Sequence, residues 1–138
     1  PKTIEKYIPS LNEMGIDKIT FIYSDFSQNN FKINIEKLEK ILINSSCQCG
    51  RSNIIKLAIC KNLDNFIKEN EDIYFLDFSE ISIDNKKDEI KTLVIGCEGG
   101  FSTNERSKFN KQNVIGFNSS LILRSETAII CAGSKIIL

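Results

Sequence analysis

The chain contains no histidine. That absence removes the commonest general base and every Ser-His or Cys-His arrangement that activates a nucleophile. Its cysteines, at 47, 49, 60, 97 and 131, include no Cys-x-x-Cys pair, and Cys47-x-Cys49 stands alone. Without histidine or a second cysteine pair, a zinc or redox centre has no ligand set, so no metal is expected. An odd number of thiols reads as reduced cysteines, several of them buried, in a cytosolic protein. No apolar run approaches the roughly 18 residues of a membrane span, and no signal-peptide pattern opens the chain. Neither Gly-x-x-x-x-Gly-Lys-Ser/Thr nor Gly-x-Gly-x-x-Gly occurs, which excludes the usual phosphate and dinucleotide loops. A charge excess is missing too: 18 Lys and Arg balance 18 Asp and Glu. A free-standing nucleic-acid binder usually carries a basic surplus, so any RNA is held by a local basic patch or by surface elsewhere.

What is present fits one domain. A chain of 138 residues, 41% hydrophobic and 26% charged, can bury its own core without disulfides or metal. Ile4, Tyr7, Ile8, Leu11 and Met14 mark one helical face ending at Gly15, with Pro9 expected to kink that helix or end its first half. Residues 18–24 read as a strand, and Ile35, Leu38, Ile41 and Leu42 recur at helical spacing into Ser45-Ser46. Residues 54–60 form a second strand, 64–70 a short helix and Ile73–Leu76 a nearly continuous apolar strand. Residues 84–91 read as a solvated connection into a central strand at Thr92–Ile95; a helix over 103–112 and a strand over 114–117 follow. Residues 125–138 are apolar on most sides, so one face packs on the sheet and another meets a partner, which fits a homodimer. This alternation predicts an α/β fold, a mostly parallel sheet flanked by helices.

The chain is organised around residues 92–101, TLVIGCEGGF. A β-branched strand stops at Gly96-Cys97-Glu98-Gly99-Gly100, where bare backbone can take positive φ and admit a ligand to the main chain. Glu98 stands where a phosphate loop wants a lysine, so the turn suits a cationic or neutral polar ligand and argues against a nucleotide-phosphate binder. It can equally be a tight strand-to-helix turn whose glycines serve geometry alone. Ser102-Thr103-Asn104-Glu105 has the spacing of a capping box that starts the next helix.

About twenty residues after GCEGGFS comes LILRSETA. Together these stretches resemble the small-subunit ribosomal RNA uridine-N3 methyltransferases of the SPOUT class, whose motifs run Gly-Pro-Glu-Gly-Gly-Phe-Ser and Leu-Gly-x-Arg-Ile-Leu-Arg-x-Glu-Thr-Ala. Gly96, Glu98, Gly99, Gly100, Phe101 and Ser102 match the first, and Ile122, Leu123, Arg124, Glu126, Thr127 and Ala128 the second. Glu13-Met14-Gly15-Ile16 and Gln48-Cys49-Gly50-Arg51 are weaker echoes of the same family. The chain departs from it at Cys97 (proline in the family), Ser119 (glycine), Leu121 (arginine) and Phe26 (arginine). Two of those replaced side chains are cations of the kind that hold phosphates.

The resemblance implies a SPOUT-type fold with a C-terminal trefoil knot, and S-adenosylmethionine as cofactor. It implies 16S ribosomal RNA of the small subunit as substrate, and a cytoplasmic homodimer. It also makes the chain a C-terminal catalytic domain that an N-terminal β-rich RNA-binding domain precedes. Three strand-end loops would hold the cofactor: Leu76, Asp77 and Phe78; Gly96, Cys97, Glu98, Gly99 and Gly100; and Asn118, Ser119, Leu121, Ile122 and Leu123. Asp77 and Phe78 also read simply as a surface turn. Uridine N3 is protonated at neutral pH, so developing anionic charge needs help: Arg124 is expected to stabilise it, and Glu126 to orient Arg124 or take the proton. Arg124 and Arg51 are the expected RNA contacts, although Arg51 also reads as a solvated arginine at a helix end. The alternative is a non-catalytic module that keeps the cofactor fold and only binds RNA or protein, which the lost cations at 26 and 121 favour.

Overall fold

The computed structural model describes residues 2–23, 32–97, 100–118, 123 and 125–138. Helices and strands alternate: α1 (Lys2–Met14), β1 (Lys18–Ile22), α2 (Ile35–Cys49), β2 (Lys56–Cys60), α3 (Leu63–Glu69), β3 (Ile73–Leu76), α4 (Ile83–Lys86), β4 (Thr92–Ile95), α5 (Thr103–Arg106), β5 (Val114–Ile115) and α6 (Ser125–Ile137). All strand pairs are parallel, as expected of an α/β fold. Among the described residues they form two ladders, β1-β2 and β4-β3-β5. The middle of the second ladder is therefore β3, not the strand at 92–95. The sequence of β3 accounts for this: Ile73, Tyr74 and Phe75 are all buried, as a strand covered on both faces requires.

Alternation along β3 separates two cores. Ile73 and Phe75 pack with Leu63, Val94, Phe101 and Phe109, while Tyr74 packs with Ile83, Ile90, Ile115 and Ala132 on the opposite face. Phe109 stacks on Phe75 with ring centroids 3.9 Å apart, and Phe101 meets both rings edge-on. That aromatic cluster overrides the helix expected over 103–112. The chain makes one turn at α5, brings Phe109 inward, and restarts as a 3-10 turn at Lys111–Asn113 capped by Asn110. The expected solvated connection over 84–91 is also corrected. Ser82 caps α4, and Ile83 and Ile90 are buried between the charged residues that disguise them in the sequence.

The third core joins α1, α2 and β2 through Ile8, Leu11, Leu38, Leu42 and Ile55. α1 runs unbroken through Pro9. Ile8 and Leu11, on either side of Pro9, are almost wholly buried, so packing outweighs the backbone hydrogen bond that proline cannot make. α2 is bounded by Asn34, which accepts from the Lys37 amide, and by Gly50 at φ 79, where a left-handed residue closes the helix.

At the centre of this half lies Asn12, fully buried. Its Nδ2 donates to Ser46 Oγ at 2.9 Å and Ser45 Oγ at 3.2 Å, and its Oδ1 accepts from Arg51 Nη1 at 2.9 Å and from the Ile55 amide at 3.3 Å. One side chain thus ties α1 to α2, to Arg51 and to the approach to β2. Asn12→Ala removes an acceptor from a buried amide and from a guanidinium. We expect it to cost about 2–4 kcal/mol, read as a fall in the urea midpoint at unchanged slope.

Candidate functional site

The register of the three-stranded ladder builds the site. Leu76 lies opposite both Ile95 and Ile115, so three parallel strands end level and their chains leave from one edge. Open parallel sheets bind ligands at that carboxyl edge. The three segments expected to hold a cofactor start there: residues 76–78 at the end of β3, 96–100 after β4, and 118–123 after β5.

The turn after β4 is closed by the Gly100 amide, which donates to the Cys97 carbonyl at 2.8 Å. Gly100 has φ 74, and a Cβ there would meet nothing within 4 Å, so the turn presents bare main chain to open space. Gly96 is different. A Cβ on it would lie 3.2 Å from the Gly100 carbonyl carbon, so a side chain there would press the turn apart by a few tenths of an ångström. The capping box forms as its spacing predicts: the Glu105 amide donates to Ser102 Oγ, and the Ser102 amide to Glu105 Oε1. The ends of the site also meet. Ser125 Oγ, at the start of α6, donates to the Gly96 carbonyl at 3.3 Å.

The exits of β3 and β5 touch through main chain. The Asp77 amide donates to the Ile115 carbonyl at 3.0 Å, and Ser79 Oγ donates to the Val114 carbonyl at 2.8 Å. A Cβ on Gly116 would stand 2.9 Å from the Asp77 carbonyl oxygen. The Asp77 carboxylate is held by Arg106, Nε to Oδ2 at 2.8 Å and Nη2 to Oδ1 at 3.2 Å. Phe78 is 75% exposed beside a cleft of about 260 Å³ bounded also by Ser79, Arg106 and Lys111. Asn118 is exposed and Leu123 half-buried.

Of the other expected site residues, Glu98, Gly99, Ser119, Leu121, Ile122 and Arg124 lie outside the described residues, as does Phe26. Arg51 is placed far more firmly than a solvated arginine. Its guanidinium donates to the Asn12 carbonyl, Asn12 Oδ1, the Ile16 carbonyl and Asn53 Oδ1, all within 2.9 Å. Those bonds close the C-terminal end of α1, so Arg51 is more than the solvated arginine at a helix end that its sequence position also suggests. Glu126 lines a groove of about 580 Å³ between α1 and α6, facing Lys6, Tyr7 and Ser10. Sequence reasoning missed Arg106, Ser79, Gly116 and Ser125. Gly116 within Val-Ile-Gly-Phe carried a signal, a glycine ending a strand, whereas Arg106 pairs across 29 residues with no local mark. Among the described residues no cluster of Cys, Asp or Glu is arranged to hold a metal ion, and no helix is long and apolar enough to cross a membrane.

The profile of the RNA methyltransferase domain matches residues 1–137. The chain belongs to that family. Among relatives of this RNA methyltransferase domain, the ribosomal RNA small subunit methyltransferase E of Helicobacter pylori is 40% identical over 136 residues, covering 96% of this chain and 60% of the relative. The protein of that name from Buchnera aphidicola is 33% identical over 142 residues, covering 94% of this chain and 54% of the relative. The chain thus spans little more than half the length of these curated relatives. A Legionella pneumophila methyltransferase solved with its cofactor SAM superposes with a TM-score of 0.77 at 28% identity, over 99% of this chain and 60% of that one.

Burial, with the Glu126 carboxylate nearby, pushes the Tyr7 phenol of this RNA methyltransferase domain from 10.0 up to about 12. The folded state holds that proton more tightly than the unfolded chain does. Its contribution to stability is whole below pH 10 and is lost as pH rises from 10 to about 12. Burial and a hydrogen bond to Glu89 raise the Tyr74 phenol in the same direction. In urea denaturation followed against pH, Tyr7→Phe should therefore flatten only part of the alkaline fall.

Proposed function

We propose that this chain is the S-adenosylmethionine-binding catalytic domain of an enzyme that methylates N3 of a uridine in 16S ribosomal RNA. The observation that carries the reading is the level ending of β3, β4 and β5, with the positive-φ turn at Gly100 opening onto that edge. Its support outside the molecule is the family match and the relatives named for small-subunit ribosomal RNA. We also take the last third of the chain to be threaded as a trefoil knot and the enzyme to work as a cytoplasmic homodimer. The half-exposed Ile137 and exposed Leu138 at the end of α6 support the dimer. The zero formal charge supports sharing the RNA grip with an N-terminal RNA-binding domain.

S-adenosylmethionine, when bound, supplies an electrophilic methyl group on a sulfonium. The protein's part is placement: main-chain groups of residues 76–78, 96–100 and 118–123 grip the polar edges of the ligand, and Leu121, Ile122 and Leu123 form apolar walls. Gly100 leaves room where any side chain would intrude on a ligand. The Asp77 carboxylate is already engaged by Arg106, so loop 77–78 offers its backbone. Arg124 stabilises the negative charge that builds on the uracil as N3 loses its proton, and Glu126 orients Arg124 or accepts that proton. Glu98 recognises a polar edge of the ligand.

Calorimetric titration with S-adenosylmethionine tests the site. The native chain should saturate, and Gly99→Val should abolish binding. Gly100→Ala should weaken binding by more than the roughly 1 kcal/mol that an alanine at positive φ costs in stability. Equal binding by the native chain and Gly99→Val would defeat the assignment.

The chemistry is tested by methyl transfer to small-subunit ribosomal RNA, measured on the protein at the length of its relatives. Arg124→Ala should bind cofactor normally and lose at least about a hundredfold in rate. Saturable cofactor binding with no transfer by the native protein would instead establish the non-catalytic module.

A further inference from the structure

We propose that Arg106 is a positioning residue for the cofactor site, clipping the exit of β3 to the helix that follows the glycine turn so that both meet the ligand as one surface. This role rests on the cofactor reading above.

The Arg106 guanidinium grips both oxygens of Asp77, Nε to Oδ2 at 2.8 Å and Nη2 to Oδ1 at 3.2 Å. The Asp77 side chain is 12% exposed and that of Arg106 46%, so the carboxylate is the sheltered partner and the arginine reaches in from the rim. A planar two-pronged grip fixes orientation as well as distance, which a lysine ammonium cannot do.

The arginine is placed for this by what precedes it. α5 has only four residues, too few to be stable as a free helix. Its first turn is set by the Ser102–Glu105 box, and the Arg106 amide donates to the Ser102 carbonyl at 2.9 Å. Gly100, two residues before that cap, closes its turn onto Cys97. The cap at Ser102 and the Arg106 grip thus connect the Gly100 turn to Asp77 over a few residues. On its other side Asp77 is bonded through its amide to Ile115. Arg106 links the β4 exit to the β3 exit, which main chain already links to the β5 exit.

Arg106→Ala leaves the sheltered Asp77 carboxylate without its partner, so a fall in the denaturation midpoint is expected too, and ligand affinity and local amide exchange are the readouts that a purely structural pair would not move. Three variants separate these effects: Arg106→Ala, Arg106→Lys, and Lys135→Ala as control. Lys135 pairs with Asp84 at 2.7 Å; its side chain is 40% exposed against 46% for Arg106, its carboxylate partner is more open than Asp77, and the pair lies outside the proposed site.

In Arg106→Ala we expect S-adenosylmethionine to bind about tenfold more weakly, because ligand must now order the loops. Amide hydrogen exchange at Asp77 and Gly100 should quicken together. Arg106→Lys should recover part of the affinity, and Lys135→Ala should leave affinity and both amides as in the native chain.

The proposal is overturned if Arg106→Ala binds within about twofold of native, if Lys135→Ala loses as much, or if Arg106→Lys restores full affinity. It is likewise overturned if exchange at the two amides does not change. A native chain that binds no S-adenosylmethionine removes the cofactor reading and this role with it. Coupled exchange at Asp77 and Gly100 would then still show whether the clip itself exists.

Discussion

The parallel register of β3 with both neighbours is the constraint on which the rest depends. With Leu76 level with Ile95 on one side and Ile115 on the other, three chain exits are brought to one edge without any contact between the exits being needed to bring them there. A slip of one residue on either side would turn Phe75 or Tyr74 into the wrong core, so burial on both faces enforces the alignment. Backbone hydrogen bonds set the spacing, and the two apolar faces choose which spacing is allowed.

The half of the molecule built on α1, α2 and β2 follows a different logic. Its centre is polar, and its specificity comes from saturation: Asn12 meets two serines, an arginine and a backbone amide, and among the described residues no buried side-chain polar atom lacks a partner. A leucine at that position would pack but would leave the Ile55 amide without its acceptor and take one of several acceptors from Arg51. Arg51, which stands in a family-like motif, holds the end of α1 through the Asn12 and Ile16 carbonyls.

Local signals were legible where the chain folds on itself within a few residues. The capping box at Ser102, the glycine turn, the apolar run of β3 and the amphipathic α1 and α2 all read directly from spacing. What stayed hidden depends on contacts across tens of residues. Phe109 leaves the predicted helix because Phe75 is there to receive it, and α4 exists because Ile83 and Ile90 find the far face of the ladder. The Asp77–Arg106 grip belongs to the same class. Each residue alone reads as a surface charge, and only the crossover from β4 to β5 sets them face to face. The glycine-rich turn and the Arg-x-Glu-Thr-Ala stretch were visible as candidate chemistry because their motif is sequential, even though the fold is needed to bring the first turn of α6 onto Gly96.

The junction at Gly116 has a consequence for how such a site can diverge. Surfaces joined by side chains drift by exchanging one side chain for another, but here bare main chain lies against bare main chain, 2.9 Å from where any Cβ would begin. That seam offers nothing to exchange. Change at this edge is therefore confined to side chains that stand in solvent, such as Phe78 and Asn118, while the joint between them keeps its glycine.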